Sequence, residues 1–116
     1  SMTESVADQV FAQAQRAWLH HGEQPEVQTT PINGHAQMRS LAALASGRLE
    51  YVVDSDDPDI WDALVGIDTG DQWQKCALVP LSLLGTAHER LRNHGFEVQG
   101  WWMADERVWF GSPEIA

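Results

Sequence analysis

The sequence predicts a single α+β domain: a small, mostly antiparallel sheet of about three to five short strands, helices packed on one face, and a C-terminal β-hairpin. Three observations predict it. Apolar stripes at helical spacing are interspersed with short alternating runs. The strand-like runs lack the continuous apolar stretches of a doubly wound parallel sheet. The chain closes on two apolar runs separated by a polar turn. A length of 116 residues suits one domain, and Ser1 ahead of Met2 reads as an expression remnant.

Val6, Val10, Phe11, Ala14, Ala17 and Trp18 form one stripe, with Thr3 as N-cap and Gly22 as stop. Val27 to Thr30 reads as a short strand between Pro25 and Pro31. Met38, Leu41, Ala42, Leu44 and Ala45 predict a second helix over His35–Ser46, ended by Gly47. Leu49 to Asp54 alternates as a strand. Asp57 then suits an N-cap and Pro58 a first helical position, ahead of Ile60, Trp61, Leu64 and Val65, with Gly66 as the stop. Trp73 to Val79 reads as a strand that Pro80 ends. A fourth helix is expected over Ser82–His94 on Leu84, Ala87 and Leu91, with a later start if Thr86 and Glu89 form a capping box. The hairpin pairs 96–103 with 107–110. The expected core is Phe11, Trp18, Leu41, Leu44, Val53, Trp61, Leu64, Leu78, Leu84 and Leu91.

Seventeen acidic against seven basic residues give a formal charge of −10, which disfavours binding to phosphate backbones, so no nucleic-acid partner is expected. Eight carboxylates and no Lys or Arg lie between Glu50 and Asp71, an asymmetry that can steer a basic partner to one face. Cys76 is the lone cysteine and can form no internal disulfide. The first residues carry neither a basic nor an apolar leader region, and no apolar run approaches the roughly 18 residues of a membrane span. A cytoplasmic protein without membrane attachment is expected.

Asp68-Thr69-Gly70 is similar to the active-site triplet of aspartic proteases, but predicted helices precede it and too few residues follow for that fold, so a glycine turn is expected. Asp54 and Asp56 have the alternate spacing of a calcium loop without its central glycine and distal glutamate. No histidine pair has the i, i+4 spacing of helical metal ligands; His20, His21 and His94 suit helix C-termini. Cys76 sits in an apolar run where an inert thiol is the default. No catalytic residue, metal or cofactor is therefore assigned.

Tryptophan is over-used, with six residues. If the hairpin turns at Asp105 and Glu106, Trp102 faces Trp109 across the strands and Met103 faces Val108. One face then carries Phe96, Val98, Trp102 and Trp109 and is the expected core face. The other is polar at its base (Glu97, Gln99) and apolar at its tip (Trp101, Met103, Val108, Phe110). That tip is covered by an element of the chain, the first helix being the obvious one, or by a protein partner or second subunit. The functional expectation is a non-enzymatic interaction module, of the inhibitor, immunity or chaperone kind, binding through Trp101, Met103, Val108 and Phe110 and through Asp54, Asp56 and Asp59, with homodimerisation one form this takes. The alternative is a small-molecule binder or enzyme with a Trp-lined pocket and His88 or His35 as acid–base group.

Overall fold

The computed structural model describes residues 5–32 and 35–116, and their side chains except at 31 and 35–37. Thr3 and the side chain of His35 lie outside the described residues. The architecture is α+β, with a seven-stranded mixed sheet and, among the described residues, three α-helices. In chain order the elements are α1 (Val6–His20), β1 (Glu26–Ile32), β2 (His35–Ala43), β3 (Arg48–Val52), α2 (Pro58–Val65), β4 (Gln74–Pro80), a 3-10 turn (Leu81–Leu83), α3 (Leu84–Leu91), β5 (Phe96–Ala104), β6 (Arg107–Phe110) and β7 (Glu114–Ile115).

The strands lie in the order β1-β2-β3-β4-β5-β6, with β7 also on β5. The first three form an antiparallel meander. β3, β4 and β5 are parallel, joined through α2 and then α3. Two successive crossovers in one direction place both helices on the same face. The predicted mostly antiparallel sheet of three to five strands is thus corrected to a mixed sheet of seven. Cys76, Ala77, Leu78 and Val79, all 0–1% exposed, are the continuous apolar run that a parallel strand covered on both faces requires.

Helices lie on both faces, not one. On the first face α2 and α3 bring Ile60, Trp61, Leu64, Ala87 and Leu91 onto Leu49, Tyr51, Val53, Ala77, Val79, Phe96 and Val98. On the second, Val10, Phe11 and Ala14 of α1 meet Leu41, Cys76, Leu78, Trp101 and Val108. The N-cap of α1 is Ser5, whose side chain accepts from the Asp8 amide. Asp8 also takes a hydrogen bond from Arg39, whose guanidinium stacks 4.6 Å from the Phe11 ring. Ser5 and Arg39 together lower the Asp8 pKa.

The helix expected over His35–Ser46 is strand β2. Its residues Leu41, Ala42 and Ala43 are buried on both sides, and a strand with two dry faces carries no period-two signal. The error moves one core assignment: Leu44, just past the strand, is 58% exposed. Trp18 and Leu84 are half-buried, and the other seven expected core residues are buried. α2 begins and ends where the capping signals place it, with Asp57 accepting from Asp59 N and Gly66 at the C-cap. α3 is shorter than expected, and Thr86 lies inside it rather than at its cap.

The terminal hairpin has the expected register: Trp101 faces Phe110, Trp102 faces Trp109, Met103 faces Val108. Asp105 and Glu106 form its turn with φ of 53° and 61°, the pair of positive values of a type I′ turn. Non-glycine residues pay for this geometry, by roughly 1–2 kcal/mol each. Replacing Asp105-Glu106 with Asn-Gly should therefore raise the unfolding free energy by about 1–2 kcal/mol, measured by urea titration.

Candidate functional site

Two places on this scaffold gather chemistry. The first is the hairpin end of the sheet. Strand β5 runs beyond α3, so its two faces are covered at opposite ends. Phe96 and Val98 are buried at the base of the first face, whereas Trp102 and Trp109 at the tip of that face are 36% and 42% exposed. On the second face the base is polar, with Glu97 and Gln99 part-exposed. The tip of that face lies under α1, which leaves Trp101 and Val108 7% exposed and Phe110 half-buried. The expectation that Trp102 and Trp109 belong to the core is corrected. Alternation sorts the side chains to the right faces, but the helices end before the strand does.

Both exposed indoles are held. Trp109 Nε1 donates to the Ala104 carbonyl at 3.0 Å. Trp102 lies over Gly111, where a Cβ would stand 3.7 Å from its ring. Leu81, 49% exposed, packs against Gly100 in the same strand and extends the apolar surface. Met103, at 40% exposure, is the one member of the expected contact set Trp101, Met103, Val108 and Phe110 that stands open to solvent.

The acidic loop reaches this same end. Val53 N bonds to Leu78 O at the close of β3, and Pro80 lies opposite Trp101 on β5. Neighbouring strands stand about 4.8 Å apart, so Asp54 leaves the sheet roughly 10 Å from β5. Asp54 and Asp59 are exposed. Asp56 serves the fold, since its Oδ1 accepts the Trp61 indole N–H at 2.8 Å. Asp57 caps α2. Asp68-Thr69-Gly70 forms a turn, with Gly70 at φ 79° and its amide 3.3 Å from Asp68 Oδ1.

The second place is a cavity of about 500 Å³ between the C-terminal half of α1 and the sheet. Trp18, Phe110, Ala17 and Leu78 supply apolar walls; Arg48, Glu50, Glu23 and Gln99 supply polar groups. Trp18 Nε1 donates to Glu50 Oε1 at 2.7 Å, and Arg48 Nη1 binds Glu97 at 2.7 Å. Arg48 Nη2 stays 4.0 Å from Glu50 Oε2. Burial pushes the Glu50 carboxyl up, against the opposing pull of Trp18 and Arg48. Cys76 is buried, and its thiol is pushed up to about 12 by the same loss of water, which makes it a poor nucleophile.

The structure does not bring His88, one of the two expected histidines, to this cavity. His88 pairs with Glu114 at 3.0 Å, away from the lining residues. His21 is the histidine on the cavity wall, with its ring 6.2 Å from that of Trp18. Arg48 and Glu50 were missed as site residues. Their signal was a charged pair alternating with the buried Leu49 and Tyr51, which puts both on one sheet face.

Glu50 sets a pH dependence of stability. Its folded pKa lies above the unfolded value, so the folded state holds the proton more tightly. That contribution is greatest below the ordinary carboxyl pKa and is lost as pH rises through the raised folded value. Urea unfolding across this window should show Glu50→Gln flattening the decline, because the amide still accepts the Trp18 N–H and carries no charge.

No helix among the described residues is long and apolar enough to cross a membrane. Compared with protein-family models, curated proteins and solved structures, the chain matches none of them.

Proposed function

We propose that the chain is a non-enzymatic interaction module that binds a protein partner with an apolar centre and a basic rim. The observation that carries this reading is the pair of fixed, exposed indoles, Trp102 and Trp109, on a strand that outruns its covering helix. Aromatic anchors with few rotamers to freeze are the residues that dominate protein contacts. Exposed carboxylates lie at this end of the sheet: Asp105 and Glu106 at the turn beside Arg107, Asp54 past the close of β3, and Asp59 in the first turn of α2. Two acidic residues held at positive φ in a turn that prefers Asn-Gly point to a use for charge at that tip. Met103 is exposed at the same tip but on the opposite face, the one on which Trp101, Val108 and Phe110 lie under α1.

A net charge of −10 on each copy opposes self-association and favours a basic partner, whose approach it accelerates at low salt. The test compares wild type with a Trp102→Ala/Trp109→Ala variant in quantitative capture from the native host. A specific partner should be lost by at least about tenfold in the variant and should dissociate more readily as salt rises. The variant's melting temperature should stay close to wild type. Equal capture by both proteins would exclude this surface. A dimer in sedimentation that the variant dissolves would make the partner a second copy. Asp54→Asn with Asp59→Asn should slow association, and Asp56 is left intact because it anchors Trp61.

A further inference from the structure

The cavity beside α1 has the composition of a ligand site rather than of a packing defect. Its volume of about 500 Å³ falls in the range of small-molecule pockets. Two aromatic side chains, Trp18 and Phe110, line it with Leu78 and Ala17, which suits an apolar body. Its charged groups are unequally matched. Arg48 holds Glu97 through Nη1 at 2.7 Å and reaches Glu50 only at 4.0 Å through Nη2. Glu23 accepts from Ala45 N at 2.8 Å and Ser46 Oγ at 2.7 Å, both uncharged donors. Glu50 is only 7% exposed, and its single hydrogen bond among the described residues comes from an uncharged indole at Oε1. Its Oε2 meets Arg48 Nη2 at 4.0 Å, beyond hydrogen-bond length, and makes no hydrogen bond among the described residues.

A buried carboxylate whose Oε2 makes no hydrogen bond among the described residues, on the wall of an aromatic-lined cavity and with Arg48 no nearer than 4.0 Å, has room for a second, hydrogen-bonded cation. From this we infer that the cavity binds a small amphipathic amine, its ammonium on Glu50 Oε2 and its apolar body between Trp18 and Phe110. Glu23, Glu50 and Glu97 outnumber Arg48, so the local field is negative and rejects carboxylates. Aromatic faces add their own attraction for an organic cation. The charge-assisted hydrogen bond offsets the cost of holding Glu50 ionised out of water. The inference does not rest on the proposed contact at Trp102 and Trp109, neither of which lines the cavity, so either reading can fail without the other.

Three probes of one shape separate the chemistry: phenethylamine, its neutral counterpart 2-phenylethanol, and the anion 3-phenylpropionate. The Trp18 indole N–H resonance reports binding at the cavity, since that N–H donates to Glu50 Oε1. Phenethylamine should shift this signal saturably and bind at least about tenfold more tightly than either other probe. Glu50→Gln, which keeps an acceptor for Trp18, should abolish that preference. Ala17→Trp, a change at an exposed lining residue, should block all binding while leaving Glu50 in place. Equal affinity for 2-phenylethanol, tighter binding of the anion, an amine shift that survives both substitutions, or no saturation below about 10 mM would each overturn the inference.

Discussion

Trp101→Ala should lower the unfolding free energy by about 3–5 kcal/mol, whereas Trp102→Ala, one residue further along the same strand, should cost about 1 kcal/mol or less. The difference comes from which helix reaches which face. Trp101 is 7% exposed beneath α1, so truncation opens a cavity among Val10, Phe11, Ala14, Leu78 and Val108. Trp102 points the other way, past the start of α3, and much of its ring already meets water. Trp101→Phe separates packing from polarity. The Trp101 indole N–H is buried and finds no hydrogen-bond partner among the described residues. An unpaired buried donor costs roughly 1–3 kcal/mol, so phenylalanine removes that cost while keeping most of the contact, and should cost clearly less than alanine. Chemical unfolding followed by far-ultraviolet circular dichroism measures all three without relying on tryptophan emission. Equal losses for Trp101→Ala and Trp102→Ala would show that the two faces are covered alike.

Trp61→Ala should be as damaging, again by about 3–5 kcal/mol, and for two reasons. Trp61 is 1% exposed at the centre of the α2 layer, against the sheet. Its indole also ties the acidic loop to that layer through Asp56. Asp56→Ala should cost about 1–3 kcal/mol by stranding the buried N–H. Trp61→Phe gives up the hydrogen bond but keeps the ring, and should fall between no effect and the alanine value. Asp54→Asn, by contrast, should leave stability unchanged, since Asp54 is exposed. A stability loss at Asp54 equal to that at Asp56 would contradict the distinct roles given to these carboxylates.

The elements most legible in the sequence are those whose signals are local. Asp57, Pro58 and Gly66 bracket α2 because caps and stops act over a few residues. The pairing of Trp102 with Trp109 follows once the turn is placed at Asp105 and Glu106, because register in a two-residue hairpin is set by the turn. What escapes is decided by the third dimension. Residues 38–43 place their apolar side chains at helical spacing and carry no period-two signal, and only pairing with β1 and β3 makes them a strand. The parallel alignment of β4 with its neighbours rests on contacts more than 20 residues apart, such as Leu78 with Gln99. The hairpin's exposed side depends on where α3 begins, which no pattern within residues 96–110 encodes. The cavity escapes for the same reason, since Trp18 and Glu50 are 32 residues apart in the chain and 2.7 Å apart in the fold.

The strand order has a consequence for how the molecule assembles. From β1 to β6 every strand lies beside its predecessor, so the sheet can grow by successive short loop closures. Helix α1 cannot form its contacts in that way. Val10, Phe11 and Ala14 share one cluster with Leu41, Leu78, Trp101 and Val108, a set that spans nearly the whole chain. Its seat is complete only when β6 has joined the sheet, so its docking is expected late in folding and its release early in unfolding. The cavity wall at Trp18 and the backing of the hairpin tip both depend on that helix, so the two candidate binding places come into being in the same closing step.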